Sequence, residues 1–453
     1  MLFGLILAML LGALDQTVMA PALPAVAGSL GGLGQMPAVV TAYLVAATVV
    51  MPVYGKLGDR FGRKPLIQAA IIIFVVGAVL CATATSMPQF AVYRAIQGAG
   101  GGGLMIGAQA IIGEVVSPRE RGKYLGIIGG AYVLAVVGGP LLGGVFIDRF
   151  GWRWIFAVYP PLGLVALVVI GLTLRLPKPV SRAPLDVAGA LALAVAVVGV
   201  VLLGQTGEPA FLLLAVAGAV AWVVTARLAT DPILPLRLFR DRAFAVPVAI
   251  SFLIGFALFG TITYMPAYLQ IALGASATKA GLLVTALMGG VLVTTVVSGR
   301  LITKTGRYKR YPVAGTALVT LGLGLLAVAR GPVALGAVML VIGLGVGMVM
   351  QVMVLAAQNA AAHADLGAAT SAVTFLRQIG ASAGVAAVGA LITLRLPGAA
   401  SPSALPPGAR AAFAEAVPPV FALMAPLVAV AFFLALALPA RPLRTTAHAA
   451  RHA

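Results

Sequence analysis

The chain has 453 residues, of which 61% are hydrophobic and 9% charged, with a mean hydropathy of +1.10. Soluble domains are near half apolar and a quarter charged, so a disordered chain, a fibrous protein and an ordinary soluble enzyme are excluded, and the surplus apolar surface must face lipid. The net charge of +19 comes from 30 Lys+Arg against 11 Asp+Glu; basic membrane-protein loops account for it, and no aromatic and basic module supports nucleic-acid binding.

Apolar runs of about 20 residues between charge clusters mark fourteen candidate transmembrane helices. The first eight cover 3–24, 36–55, 66–85, 88–113, 124–147, 153–174, 187–204 and 210–226. Six more cover 244–270, 280–299, 311–329, 332–357, 370–394 and 417–438. The first carries Asp15 and has no basic region before it, so it reads as a span and not as a cleaved leader. An even number places both termini on one side. The loops on that side, with the tail, hold 22 basic residues, whereas the opposite loops hold six. The positive-inside rule then makes both termini cytoplasmic in a multi-pass protein of the cytoplasmic membrane. Arg exceeds Lys by 23 to 7, the pattern of GC-rich bacterial coding.

The chain repeats itself at an offset of 244 residues. Gly55–Lys64 (GKLGDRFGRK) aligns with Gly299–Tyr308 (GRLITKTGRY), and the same offset superposes helix starts, with Pro88 on Pro332. Two six-helix halves follow, with a substrate site expected between them near the midplane. The predicted units are an N-terminal bundle (1–175), a linker with two extra helices (176–243), a C-terminal bundle (244–438) and a basic cytoplasmic tail (439–453).

Four motifs carry a family resemblance. Gly55–Pro65 (GKLGDRFGRKP), Arg94–Gly100 (RAIQGAG), Gly138–Gly144 (GGPLLGG) and Leu14–Pro24 (LDQTVMAPALP) resemble signatures of the major facilitator superfamily. The match is to its fourteen-helix drug:proton antiporter branch, with a departure at Met19–Pro21. The resemblance spans nearly the whole chain, although its sharp motifs all lie in the first half. It implies an all-α membrane protein of the major facilitator fold, with 14 transmembrane helices in two pseudo-symmetric six-helix bundles plus two linker helices.

Asp15 is the leading functional candidate. An acid within a span costs about 2.5–3.5 kcal/mol on insertion scales, so it faces the bundle interior. Burial favours the protonated form and a nearby cation the ionised one, and a carboxyl balanced between them can load and release a proton. Arg94 lies roughly 9 Å and Asp15 roughly 13 Å from the same face at 1.5 Å per residue, so the two share a level in one half. The resemblance makes them the proton-coupling pair; a permanent structural pair, or an arginine bonding backbone carbonyls, is the alternative. The resemblance also places Glu114 near Asp59 and Arg63, in a gating cluster with Gly55, Arg60 and Gly62. A solvated interfacial acid is the alternative for Glu114. Gly139, Pro140, Gly143 and Gly144 are expected to bend the fifth span and pack it against the other half.

The inward faces supply the substrate cavity. Tyr43, Tyr132, Phe259, Tyr264 and Phe375 offer aromatic faces and Met350 an adaptable one, suited to lipophilic and cationic guests. Gln351 and Asn359 add polar groups. Arg377, the ionised group of the second half's spans, binds an anionic group or caps a carbonyl. Ordinary packing is the alternative for each. At the 244-residue offset Asp15 falls on Phe259 and Arg94 on Val338, so one buried carboxylate serves the whole chain. Monovalent or neutral guests are then expected over dications.

The expected function is proton-coupled efflux of hydrophobic or cationic small molecules by alternating access. A dedicated exporter of one metabolite on the same machine is the alternative. No clustered nucleophile, base or metal set points to an enzyme. Cys81 and the histidines His363, His448 and His452 form no metal-ligand pattern, so no metal is expected. The glycines Gly98 and Gly100–Gly103 lack the Lys-Ser/Thr of a phosphate loop, so ATP is not expected. They suit close helix contacts instead. The expected partners are lipophilic substrates, protons and membrane lipids; no cofactor is expected, and a monomer is the working oligomeric state. A reporter fused after Arg182 should read cytoplasmic and one near Gly207 external. The same location for both would remove the seventh span.

Overall fold

The computed structural model describes residues 1–31, 35–176, 185–274, 277–329, 331–395 and 409–443. The tail from Arg444 onward and the linker position Arg182 lie outside the described residues. The first part of the chain forms α1 (Leu2–Leu30), α2 (Met36–Phe61), α3 (Arg63–Thr83), α4 (Met87–Val115), α5 (Pro118–Phe150), α6 (Arg153–Ala157) and α7 (Tyr159–Thr173). Then come α8 (Val187–Thr206) and α9 (Ala210–Leu228). The remainder forms α10 (Arg242–Leu273), α11 (Ala277–Thr305), α12 (Arg310–Leu326), α13 (Gly331–Ala360), α14 (Leu366–Arg395) and α15 (Ala409–Ala437). Helix is the only regular structure among the described residues, as lipid demands of a backbone that must satisfy its own hydrogen bonds.

Local chemistry sets the breaks. Gly62, at φ 94°, separates α2 from α3 in a conformation that a side chain would strain. Pro118 opens α5, where its missing N–H is no loss. Pro160 and Pro161 begin α7 and separate it from the short α6. Asp186 accepts a 2.7 Å bond from the Gly189 amide at the start of α8, and Asp241 a 2.9 Å bond from the Ala243 amide at the start of α10.

A helix covers each of the fourteen segments read from the sequence. Among the described residues, twelve spans are long and apolar enough to cross a membrane, α6 and α7 together making one of them. Two helices fall outside that group. In α4, Arg94, three glutamines and a run of glycines dilute the apolar content, and α12 has only 17 residues. The multi-pass membrane character is therefore plain, with α4 and α12 less apolar or shorter than the sequence reading took them to be. Leu164 and Leu172 on α7, with Leu213 and Leu228 on α9, point outward as expected of a lipid-facing surface.

The packing repeats. In the first part α4 lies against α2 and α3, and α1 against α5 and α7. In the last part α13 lies against α11 and α12, and α10 against α14 and α15. Two crossed contacts, α2 on α14 and α11 on α5, join the parts. The α8–α9 pair docks through α8 onto α2 and α14. Here Gly204 sits close to the Ser382 carbonyl, and Thr41 of α2 bonds Gln205.

The crossed contacts lie at one end of the molecule, where the Gly62 turn sits. A Cβ on Gly55 of α2 would collide with Ser371 and lie 2.6 Å from the Gly367 carbonyl, both on α14. On the other side Gly122 and Gly126 of α5 meet Gly299 and Thr295 of α11, and Gly130 meets Leu292. Further along α5 the contact ends, with open space around Gly138 and, on α11, around Gly289. The molecule is closed at the Gly62 end and its halves diverge towards the other. Gly55→Val should wedge α2 from α14. Thr374→Cys, at a position only 2% exposed, should then react severalfold faster with a maleimide supplied from the Gly62 end. An unchanged rate would mean that the helices yield without opening.

Candidate functional site

Two charge clusters and the buried Arg377 stand out in the interior. The first cluster is built on the glycines of α4. Backbone of Tyr43 on α2 approaches Gly98, and backbone of Phe74 on α3 approaches Gly100, at distances that a Cβ would forbid. These contacts bring α2, α3 and α4 together around Arg94, and α1 adds Asp15. Asp15 is 0% exposed and Arg94 3%. One Arg94 nitrogen donates to both Asp15 oxygens, at 2.8 and 2.7 Å, and to Gln97 Oε1 at 2.7 Å. Gln97 Nε2 donates to Asp15 at 3.0 Å. The Tyr43 ring stacks on the guanidinium at 4.3 Å, and Tyr159 of α7 lies beside the carboxylate. Asp15 and Arg94 thus meet as a closed pair, wholly inside the first part of the chain. Its neutralisation by a proton would release a tightly held arginine to Gln97 and Tyr43.

The second cluster is the latch at the Gly62 end. Arg63 bonds Asp59 at 2.8 Å, Glu114 at 3.0 Å and the Ala110 carbonyl. Asp59 also reaches across to the other half. Its carboxylate accepts from the Gly367 amide at 2.8 Å and the Ala368 amide at 2.9 Å. These are orphan donors in the first turn of α14, and the helix dipole adds to the attraction. Arg60 is not part of this network: its guanidinium lies over the Phe61 ring at 5.0 Å, and its Nε and Nη1 find no partner. The expectation for Glu114, Asp59 and Arg63 matches their placement, while that for Arg60 does not.

The repeat reproduces the latch in weaker form. Thr303 stands where Asp59 stands in the first half, and its hydroxyl accepts from the Lys123 amide in the second turn of α5, at 3.1 Å. A single neutral bond thus replaces two charge-assisted ones. Between Leu228 and α10, the chain bridges the closed end. Asp231 pairs with Lys56 beside Gly55, and Arg237 with Asp365 beside Gly367 at 2.8 Å.

The glycine and proline motif of α5 lies elsewhere than expected. Gly139 packs on Thr17 and Val18 of α1, within its own half. Thr17 donates to the Ala135 carbonyl at 3.1 Å. Pro140 is exposed, Gly143 is buried, and Gly144 has open space around it. The glycines of α5 that meet the other half are the earlier Gly122, Gly126 and Gly130, which lie against α11.

The cavity candidates divide. Tyr43 belongs to the Asp15 cluster, and Phe375 is buried in the core. Phe259, Tyr264 and Met350 are half-buried, with the Tyr264 hydroxyl against Gly389 and Asn359 near the end of α13. Tyr132, Gln351 and Arg377 converge between the halves. Gln351 lies against Gly129, one turn from Tyr132, and Tyr132 is the ionisable neighbour of Arg377. Thr370, Thr374 and Arg377 form a polar stripe on α14. Below Arg377, Thr374 bonds Gln109 of α4 at 3.2 Å, and Gln358 bonds the Gln109 carbonyl at 3.1 Å. Sequence reasoning missed Gln97, Tyr159 and Gln109. Gln97 was findable three residues after Arg94, on the same helix face; Tyr159 carried no local signal.

The Major Facilitator Superfamily profile matches residues 5–385. The chain is 37% identical to an uncharacterized MFS-type transporter of Mycobacterium tuberculosis strain H37Rv, over 97% of this chain and 69% of that one. It is 33% identical to the multidrug transporter protein MdtP of Bacillus subtilis strain 168, over 86% of this chain and 75% of that one. The structure resembles the human organic anion transporter MFSD10 (TETRAN), with a TM-score of 0.70 at 17% identity, covering 96% of this chain and 98% of that one; this likeness concerns the fold.

Asp59→Ala should weaken the latch by about 1 kcal/mol, the usual worth of a helix cap, and raise the open fraction roughly fivefold. Spin labels on α2 and α14 would report the change as a longer distance at the Gly62 end; an unaltered distribution would remove the latch role.

Proposed function

The chain belongs to the Major Facilitator Superfamily, and from that premise we propose that it exports lipophilic small molecules by alternating access, driven by protons that load on Asp15. The carrying observation is the sealed Asp15–Arg94 pair within one half, together with a latch between the halves at the Gly62 end. Relatives named as multidrug transporters support efflux. Transport, not catalysis, is the activity that this fold serves.

In this reading α4 and α12 complete a count of fourteen membrane helices. Residues 1–175 and 244–438 are the two moving bundles, 176–243 the linker and 439–453 the cytoplasmic tail. The basic Gly62 end is cytoplasmic, as are both termini, and the membrane is the cytoplasmic one. The structure is then outward-open, with the cytoplasmic latch engaged. A proton arriving from outside neutralises Asp15 and loosens Arg94. The halves rock, the latch opens, and the proton leaves to the cytoplasm as a new guest enters the cleft. Glu114, Asp59 and Arg63 set the balance between the two states. Gly139, Pro140, Gly143 and Gly144 govern how α5 moves against α1. No ATP or organic cofactor takes part; the proton gradient is the energy source, and one chain suffices. A dedicated exporter of a single metabolite on the same machine is the second reading, and a panel of toxic compounds in growth tests separates the two.

The test is efflux from reconstituted vesicles with an imposed pH gradient. Asp15→Asn should abolish gradient-driven transport at normal expression, and Arg94→Ala should shift the pH profile. Full transport by Asp15→Asn would sink the proton-carrier role.

A further inference from the structure

Most of the interior charges are paired. Among the described residues, Asp15 is matched by Arg94, and Arg63 by Asp59 and Glu114. Lys56 is matched by Asp231, and Asp365 by Arg237. Arg377 has no acid. It is 7% exposed, its Nη1 finds no hydrogen-bond partner, and it sits eleven residues into α14, roughly 17 Å from the helix start at 1.5 Å per residue. That depth is near the middle of the membrane.

Its position is specific. Arg377 tops the polar stripe that closes the cytoplasmic side of the seam, where Thr374 and Gln109 bond across the halves. Its neighbour Tyr132 belongs to α5 of the opposite half. Beyond them α5 and α11 separate, and the space around Gly138 is open. Arg377 therefore stands at the floor of the cleft that opens outward. A desolvated guanidinium without a counter-charge is unfavourable, so the site gains when an anion arrives. Its fork of donors suits a planar carboxylate, and the Gln351 amide lies within a turn of Tyr132 to add a polar contact. The sequence-based expectation of cationic guests rested on aromatic faces, with Asp15 as the one buried counter-charge available to them. Asp15 is instead consumed by Arg94 and Gln97.

We propose that Arg377 anchors guests that carry an anionic group on a lipophilic body, so that the substrates are organic anions of the carboxylate type and not cations. This inference rests on the export reading above. Aromatic neighbours such as Phe256 and Phe259, half-buried on α10, take the apolar body.

Three dyes with one fluorophore and different charge form the test: dansylglycine (a carboxylate), dansylamide (neutral) and dansylcadaverine (a cation). Transport is measured in vesicles of the full chain under a pH gradient, and binding by dansyl fluorescence with the protein in detergent. The wild-type protein should show its lowest KM and tightest binding for dansylglycine. Arg377→Gln should raise the dansylglycine-to-dansylamide ratio of KM, and of Kd, about tenfold, the usual worth of a charged hydrogen bond. Arg377→Lys should restore part of it. Equal ratios in wild type and Arg377→Gln, or tighter binding of dansylcadaverine than of dansylglycine, would overturn the proposal. If no dye moves under the gradient, the export reading fails, and the binding ratios still decide the role of Arg377. Movement of the neutral dye with no advantage for dansylglycine overturns the anion site and leaves the export reading standing.

Discussion

An ionised side chain inside hydrocarbon must find its counter-charge within the protein, and this constraint organises the interior. Lipid offers neither water nor ions, so a buried charge gains by drawing a partner towards it. Asp15 and Arg94 hold α1 and α4 in fixed register and recruit Gln97 and Tyr43 around them. Packing has to permit this. The glycines of α4 remove the side chains that would keep α2 and α3 away. Charge and glycine are therefore two parts of one device, since a bulkier α4 would push α2 away and lift Tyr43 off the guanidinium.

At the membrane boundary the same chemistry is used reversibly. The Asp59 carboxylate finishes the first turn of a helix in the other half, and Thr303 in its place makes one bond to the second turn of α5. The symmetry of the fold is thus kept in position but broken in strength. Bonds to helix termini suit this work, because water can replace them when the end opens. The segment carrying Asp231 and Arg237 gives the two linker helices a mechanical meaning, since it grips both sides of the seam within a few residues of the latch.

Much of this was legible in the sequence. Hydropathy located a helix at every expected segment, and the offset of 244 residues anticipated the paired packing of α2 with α4 and α11 with α13. Depth counting put Asp15 and Arg94 at one level, and the family resemblance paired them. The rest depends on contacts that are distant along the chain. Asp59 meets an amide 308 residues away, and nothing local to Gly367 announces it. Asp231 and Arg237 read as solvated loop charges until the fold places Lys56 and Asp365 beside them. The Gly139–Gly144 motif was assigned to the wrong neighbour, because a glycine signals close approach without saying to what. Arg377 was visible as an oddity, but its meaning depended on Asp15 being already paired.

The unmatched guanidinium of Arg377 has an electrical consequence. A cation leaving in exchange for one proton moves no net charge. An anion leaving while one proton enters carries two charges in the same sense, and an inside-negative potential drives both. At about 2.3 kcal/mol per charge for each 100 mV, two charges are worth about 4.6 kcal/mol, enough for a gradient of roughly a thousandfold. An exporter wired in this way runs on voltage even where the two sides of the membrane share one pH. Its direction is then fixed by the sign of a single side chain.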